Sequence, residues 1–167
     1  MRKIESQANF KNNDYHVTWI RDDDLSNYKP VKQVYGVVFN DAGEILIVRR
    51  TKKHNWQIPG GTPEIGETLE DTLVRELEEE ANVLVKKIAP LGAQKVVLLD
   101  GNDNEPSYQL RYVALLDELL PLKEDPDSGE VWERMFVLSD DVNKYITWGE
   151  VGRALFEDAI DVYCKIK

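Results

Sequence analysis

Gly61 to Val83 read GTPEIGETLEDTLVRELEEEANV, and the rest of the chain is best understood outward from this stretch. Thr68, with Asp71 three residues on, has the spacing of a capping box that opens a helix, and Asn82 is a residue that accepts the left-handed conformation closing one. At about 100° per residue, Leu69, Leu73, Val74, Leu77 and Ala81 fill an apolar arc roughly 140° wide, enough to lie on a sheet. Glu76 and Glu79 fall just outside one border of that arc, and Glu80 roughly 20° inside it. Three carboxylates at i, i+3 and i+4 therefore converge beside buried surface. Glu78, Glu79 and Glu80 also stand in the last turn, where the helix dipole disfavours anions by about 0.3–1 kcal/mol each and like charges four residues apart add to the cost. A divalent cation reverses the sign of each contribution, because hard Mg²⁺ or Mn²⁺ takes oxygen ligands and bridges carboxylates to phosphate. Local conflict of this kind is expected mainly at functional sites.

Immediately upstream, Pro59, Gly60, Gly61 and Pro63 mark a loop. Before it, the β-branched runs Gln33 to Phe39 and Glu44 to Val48, separated by Asn40, Asp41, Ala42 and Gly43, predict a hairpin. Residues 1–30 are polar and end in Asp22, Asp23, Asp24 and Pro30, so they read as an N-terminal extension with a short strand at Tyr15 to Ile20, joined by a turn to a domain over 31–167. Downstream, strands are expected at Gln94 to Leu99, Gln109 to Leu116 and Trp132 to Leu138, with a turn-rich segment through Pro121, Pro126 and Gly129. A terminal helix is expected from the capping-box spacing of Thr147 and Glu150 and from Trp148, Val151, Leu155, Ala159 and Val162 at helical intervals. Strands mixed with two substantial helices predict an α/β fold, a mixed sheet with a helix packed on each face.

The composition narrows the chemistry. The chain has 167 residues, 42% hydrophobic, which suits one domain with a real core. The longest apolar run, Val34 to Phe39, falls far short of the roughly 20 residues of a membrane helix, and Met1 to Phe10 lacks a secretory apolar stretch, so a soluble cytoplasmic protein is expected. One cysteine and two histidines make a thiolate or imidazole metal cage implausible, leaving oxygen as the main metal donor. Cys164 is expected as a small packing residue. The 21 basic and 31 acidic side chains give a net charge of −10, which disfavours a nucleic-acid polymer or an anionic membrane as partner. A small anionic substrate remains compatible if cations screen the site.

Gly61, then five residues, Glu67, then seven residues, Arg75, Glu76, Leu77, Glu78, Glu79, Glu80, Ala81, Asn82 and Val83 together resemble the box of the Nudix hydrolase family, Gx5Ex7REUxEExGU with U a bulky apolar residue. Every charged and apolar position matches, and Asn82 stands where the family has glycine. Arg49 and Arg50 before the loop, the approach Trp56, Gln57, Ile58, Pro59, Gly60, Gly61, and the downstream Glu130, Val131, Glu133 and Phe136 extend the resemblance to about residues 33–160. It implies an α/β/α sandwich and hydrolysis of nucleoside diphosphates linked to another group, with Mg²⁺ or Mn²⁺ as cofactor.

By that resemblance Glu79 and Glu80 are the main metal ligands, Glu76 is a ligand or the general base, Glu67 supports through water, and the carbonyl of Gly60 joins the donor set. Arg75 is expected to orient a catalytic carboxylate. Glu130, with Glu133 in reserve, is the candidate base outside the box. Arg49 and Arg50 are candidates to grip a phosphate, at most one of them because adjacent strand residues face opposite ways. Trp56 or Tyr35 is a candidate to stack on a base. Because many family members pair and the extension offers contact surface, a homodimer is expected. Two other classes compete. A catalytically weak nucleotide-binding or sensing module would go with loss of the box glutamates, all of which are present; a structural calcium site would gather its ligands in one short loop. The sequence leaves the substrate and the cleaved bond open.

Overall fold

The computed structural model describes residues 1–100 and 104–167. Its elements are β1 (Lys3–Phe10), β2 (Asn13–Arg21), β3 (Val31–Phe39), β4 (Glu44–Arg49), β5 (Gly60–Gly61), α1 (Leu69–Ala81), β6 (Val83–Leu98), β7 (Ser107–Leu119), β8 (Glu133–Leu138), a 3₁₀ turn (Ser139–Asp141), α2 (Val142–Tyr145) and α3 (Gly149–Ile166). The strands lie in the order β1-β2-β6-β7-β3-β4-β8, with β5 paired to β3. β3 and β7 run parallel and the other pairs antiparallel.

Both faces of the central strands are buried, which explains their unbroken apolar runs. In β4, Ile45 and Ile47 join the core that contains Leu155 and Phe156 of α3, while Leu46 and Val48 join the core that contains Leu73 and Leu77 of α1. The expected β3–β4 hairpin is closed by Asn40, whose Oδ1 accepts the N–H groups of Ala42 and Glu44 at 3.1 and 2.9 Å.

The residues before Pro30 belong to the same sheet. β1 pairs along β2, and β2 pairs along β6 from Tyr15 opposite Leu98 to Arg21 opposite Gly92. The fully buried Trp19 donates its Nε1–H to Asp158 Oδ2 of α3 at 2.7 Å. Gly92 makes this docking possible, since a Cβ there would lie 2.3 Å from the Ile20 carbonyl oxygen and 2.6 Å from the Trp19 ring. β1 escapes a reading of hydrophobic pattern because it is a mostly exposed polar edge strand. The first half of β6 escapes it because Lys86, Lys87 and Pro90 sit where its register is irregular.

Three expectations need correction. Val74 is 40% exposed, and its place toward the interior is taken by Thr72, whose hydroxyl donates to Glu67 Oε2 at 2.8 Å. The Thr147–Glu150 capping box does not form: Trp148 is the N-cap of α3, without a side-chain cap bond, and its ring stacks against Phe156 at 6.2 Å. Packing of that indole sets the start of the helix, and Val151, Leu155, Ala159 and Val162 are buried as their spacing requires. Cys164 is exposed.

α1 begins as its sequence predicts, with the Thr68–Asp71 capping box formed in both directions. It ends on Asn82 at φ 52° and ψ 52°. Asn82 does more than glycine can: its Nδ2–H donates to the Glu78 carbonyl at 2.8 Å, and its Oδ1 accepts the Lys123 N–H at 3.0 Å. Arg134 Nη1 donates to the carbonyls of Ala81 and Asn82 at 2.7 Å, placing a cation at the negative helix end. Asn82→Gly, although it restores the family residue, is therefore expected to lower stability by about 1 kcal/mol, because the Lys123 N–H loses its partner and the Glu78 carbonyl keeps only the backbone N–H of residue 82. Thermal or urea unfolding checks this; an unchanged midpoint would show the side chain to be idle.

Candidate functional site

The site begins with two missing side chains. Gly60 sits at φ 152°, and a Cβ there would lie 2.2 Å from the Val34 carbonyl oxygen. At Gly61 a Cβ would fall 2.2 Å from Oε1 of Glu76. These glycines let β5 press against β3 on one side and leave room for a helix carboxylate on the other.

Arg75 gathers the acids of α1 and its preceding loop. Its Nε donates to Glu67 Oε1 at 2.7 Å and its Nη2 to Glu67 Oε2 at 3.1 Å, a two-pronged grip. Nη1 donates to Glu76 Oε1 at 2.9 Å and to Glu79 Oε2 at 3.0 Å, and Nη2 also reaches the Thr62 carbonyl at 3.1 Å. The guanidinium pulls the Glu67 carboxyl down to about 2, while the arginine's own pKa is raised by its acidic partners, Glu67 foremost. Glu76 goes the other way. It is 8% exposed, and burial raises its pKa against the opposing pull of Arg75.

Glu80 is left outside this arrangement. Its Oε2 accepts the Gly60 amide N–H at 3.0 Å, and no salt bridge to it occurs among the described residues. Burial, followed by the negative charges of Glu76, Asp125 and Glu79, pushes its pKa up to about 8 despite the Gly60 bond. Thus the acidic last turn is compensated in part, at Glu79 by Arg75 and at Glu78 by Lys123 at 3.3 Å, but not at Glu80.

A cleft of about 760 Å³ opens over β5, lined by Tyr35, Arg50, Gly60, Gly61, Arg75, Glu76 and Glu80 among others. Of the two candidate phosphate-gripping arginines, Arg50 lines it. Arg49 instead bonds Glu133 and lies 4.4 Å over the Trp56 ring, and neither it nor Trp56 lines the cleft. Glu130 closes against Arg50 Nε, so each candidate base outside the box is held by an arginine. Gly60 is engaged through its amide.

The cleft also contains residues that local spacing did not reveal: Lys11 at the β1–β2 turn, Gln33 on β3, Gln57, and Asp127. Asp127 is brought there by a turn in which buried Asp125 accepts from the amides of Asp127 and Ser128 at 3.3 and 3.2 Å. The run Asp125-Pro126-Asp127-Ser128-Gly129 carried that turn signal in its composition.

Among the described residues no three carboxylate, imidazole or thiolate groups are already gathered as a finished metal cage. The donor set nevertheless fits a hard divalent cation. Glu80 is a partly buried carboxylate with no cationic partner, beside Glu76 and Glu79, and every donor at hand is oxygen.

A model of the NUDIX domain matches residues 29–157. The chain belongs to the NUDIX domain family. This NUDIX domain is 36% identical over 72 residues to an RNA pyrophosphohydrolase of Actinobacillus pleuropneumoniae serotype 5b, covering 43% of this chain and 34% of that protein. It is 40% identical over 53 residues to a MutT-like protein of Streptomyces ambofaciens, covering 32% and 34%. The matched segments thus span about a third of the length of these curated relatives. Among solved structures it resembles the Bacillus subtilis pyrophosphohydrolase BsRppH, with TM-score 0.71, 18% identity, and coverage of 97% of this chain and 98% of that one. A C. elegans Ap4A hydrolase aligns with TM-score 0.58 and 20% identity over 82% and 100% of the two chains. These likenesses establish the α/β fold, and the first covers nearly the whole chain. NUDIX hydrolases generally use a divalent metal. Among the described residues no helix of this chain is long and apolar enough to cross a membrane.

The two perturbed carboxyls give opposite pH signatures in chelator. Glu67, held low, contributes stability that is lost as pH falls from the ordinary carboxylate range toward about 2. Glu80, held high, favours its proton, so stability falls as pH rises from that range through about 8. Melting temperature against pH should show both limbs, the acid limb flattened in Arg75→Gln and the upper limb in Glu80→Gln; unchanged limbs would contradict the assignments.

Proposed function

We propose that this NUDIX domain hydrolyses a phosphoanhydride bond in a nucleoside diphosphate linked to another group. The observation that carries the reading is the uncompensated carboxylate of Glu80 on a cleft that also presents Arg50 and the glycine pair of β5. Glu79 and Glu80 would be the principal residues to hold a divalent cation, with the Gly60 carbonyl, Glu76 as ligand or base, and Glu67 through water. A bound divalent cation supplies neutralisation of the pyrophosphate charge and acidity for the attacking water.

The chain's own groups do the rest. Arg75 fixes Glu67, Glu76 and Glu79 through the bonds described above, so these carboxylates are oriented before substrate arrives. Arg50 binds a phosphate oxygen, releasing Glu130, which becomes available to take a proton. Tyr35 offers a ring edge to the nucleoside. Water forms a new bond to one phosphorus as the bridging P–O bond breaks; the leaving phosphate keeps the bridging oxygen, and a carboxylate accepts the water's proton.

A second reading is an RNA whose end carries a phosphoanhydride. The feature favouring it is the β1–β2 turn, where Lys11 lines the cleft beside the 62%-exposed Phe10. Contact confined to that turn avoids the repulsion that the chain's overall charge would give along a polymer. We further take the protein to be cytoplasmic and to pair as a homodimer, the pairing supported by the exposed edge strand β1; a monomeric mass in light scattering at micromolar concentration would count against the pairing.

Glu79→Gln and Glu80→Gln, made separately, are each expected to slow hydrolysis at least about a hundredfold, about 2.7 kcal/mol in barrier, at saturating Mg²⁺. In chelator Glu80→Gln should melt no lower than wild type, since an unpaired carboxylate has been neutralised, whereas Glu79→Gln gives up its ion pair with Arg75 and should melt slightly lower. Excess chelator should abolish turnover of the wild type. A panel of nucleoside diphosphate derivatives and a 5′-triphosphorylated oligoribonucleotide, with products identified by mass, separates the two substrates. Binding without turnover across the panel would mark a sensing module instead.

A further inference from the structure

Arg111 is the buried cation that the chemistry above leaves without a use. It lies on β7, directly opposite Tyr35 of the parallel strand β3, and is 2% exposed. Its guanidinium sits 4.3 Å over the Tyr35 ring. Among the described residues no carboxylate pairs with it, and its Nε and Nη1 have no hydrogen-bond partner. Nη2 donates to Gln109 Oε1 at 2.8 Å and, at 3.4 Å, to Gln94 Oε1. Burial pushes its pKa down to about 10. Stability alone gives little reason to keep such a charge, since burying an unpaired guanidinium is costly.

Its effect on the neighbouring amides has a direction. Arginine only donates, so Gln109 must turn Oε1 toward it, which leaves the Gln109 Nε2–H to donate onward. It does so to Gln33 Oε1 at 2.9 Å. Gln33 lines the cleft, and with Oε1 engaged the amide atom it has free is Nε2. Flipping Gln33 would set donor against donor at Gln109.

We infer that the Arg111–Gln109–Gln33 chain is a specificity device: it fixes Gln33 as a hydrogen-bond donor in the cleft and selects ligands that present an acceptor there. For the nature of the ligand this rests on the nucleotide reading above. The acceptor is a phosphate oxygen or a carbonyl oxygen of the base. Gln33 is the contact; Gln109 and Arg111 are positioning residues.

Gln109→Glu tests the device, because a carboxylate accepts from both neighbours and so reverses Gln33, turning Oε1 into the cleft. It also pairs the buried Arg111. Gln94→Glu is the charge-matched control: it adds the same charge beside Arg111 and removes only the 3.4 Å bond from Gln94 Nε2 to Gln109 Oε1, while Arg111 Nη2 still holds that oxygen at 2.8 Å and so keeps the direction of the Gln109–Gln33 bond. Binding of GDP, ADP and methylenediphosphonate with saturating Mg²⁺ is measured by calorimetry for wild type and both variants, with melting temperatures in chelator. Gln109→Glu is expected to weaken binding about tenfold, with a melting temperature equal to or above that of wild type, while Gln94→Glu binds nearly as wild type. Weakening with all three probes assigns the acceptor to phosphate, and weakening with GDP alone assigns it to the guanine carbonyl; either supports the inference. Unchanged binding in Gln109→Glu, equal weakening in Gln94→Glu, or weakening accompanied by a lower melting temperature overturns it. A wild type that binds none of the probes overturns the nucleotide reading itself, and this inference with it.

Discussion

The structure depends most on the way one guanidinium is shared among acids. Arg75 meets Glu67, Glu76 and Glu79 at 2.7 to 3.0 Å, and without it the loop before α1 and the second half of the helix would carry these three negative charges unopposed beside buried surface. The pairing has to be made at close quarters, because Gly61 lets Glu76 into space that any side chain would fill. Arg75 has no bond left for Glu80. The same arrangement that stabilises the helix therefore leaves one carboxylate uncompensated at the cleft, so that fold and site place competing demands on the same charges.

Compensation of the helix end comes from distant parts of the chain. Arg134 from β8 bonds the last carbonyls of α1, Lys123 pairs with Glu78, and Asn82 ties the terminus to the loop carrying Lys123. These contacts offset the unfavourable placement of acids near the negative end of the dipole. They hold the helix in register with β5, so the positions of Glu76 and Glu80 relative to Gly60 and Gly61 are set by the scaffold.

How much of this could be read in the sequence depended on the range of the interaction. The capping box at Thr68, the left-handed close at Asn82, the β3–β4 hairpin and the grouping of Arg75 with its glutamates are local, with partners within a few residues or on one helix, and all were legible. Trp19, Gly92 and Asp158 meet from three elements, so the attachment of β1 and β2 to the sheet carried no local signal. Thr147 and Glu150 had the right spacing, yet packing of Trp148 against Phe156 prevailed over a side-chain cap. Val74 looked apolar enough for the core until Thr72 found a partner in Glu67. Arg111, Gln109 and Gln33 lie on two strands that meet only in the parallel pairing of β3 with β7. Glu130 and Glu133 were legible as acids near the site, but their pairing with Arg50 and Arg49 was not.

In the function proposed above, Glu80 is the carboxylate kept free for a cation. Titration of the protein with Mn²⁺, followed by calorimetry or electron paramagnetic resonance, tests it without reference to any substrate. Glu80→Gln is expected to weaken Mn²⁺ binding by at least about tenfold, or about 1.4 kcal/mol, while the metal-free protein melts no lower than wild type. Equal Mn²⁺ affinity in wild type and Glu80→Gln would contradict it.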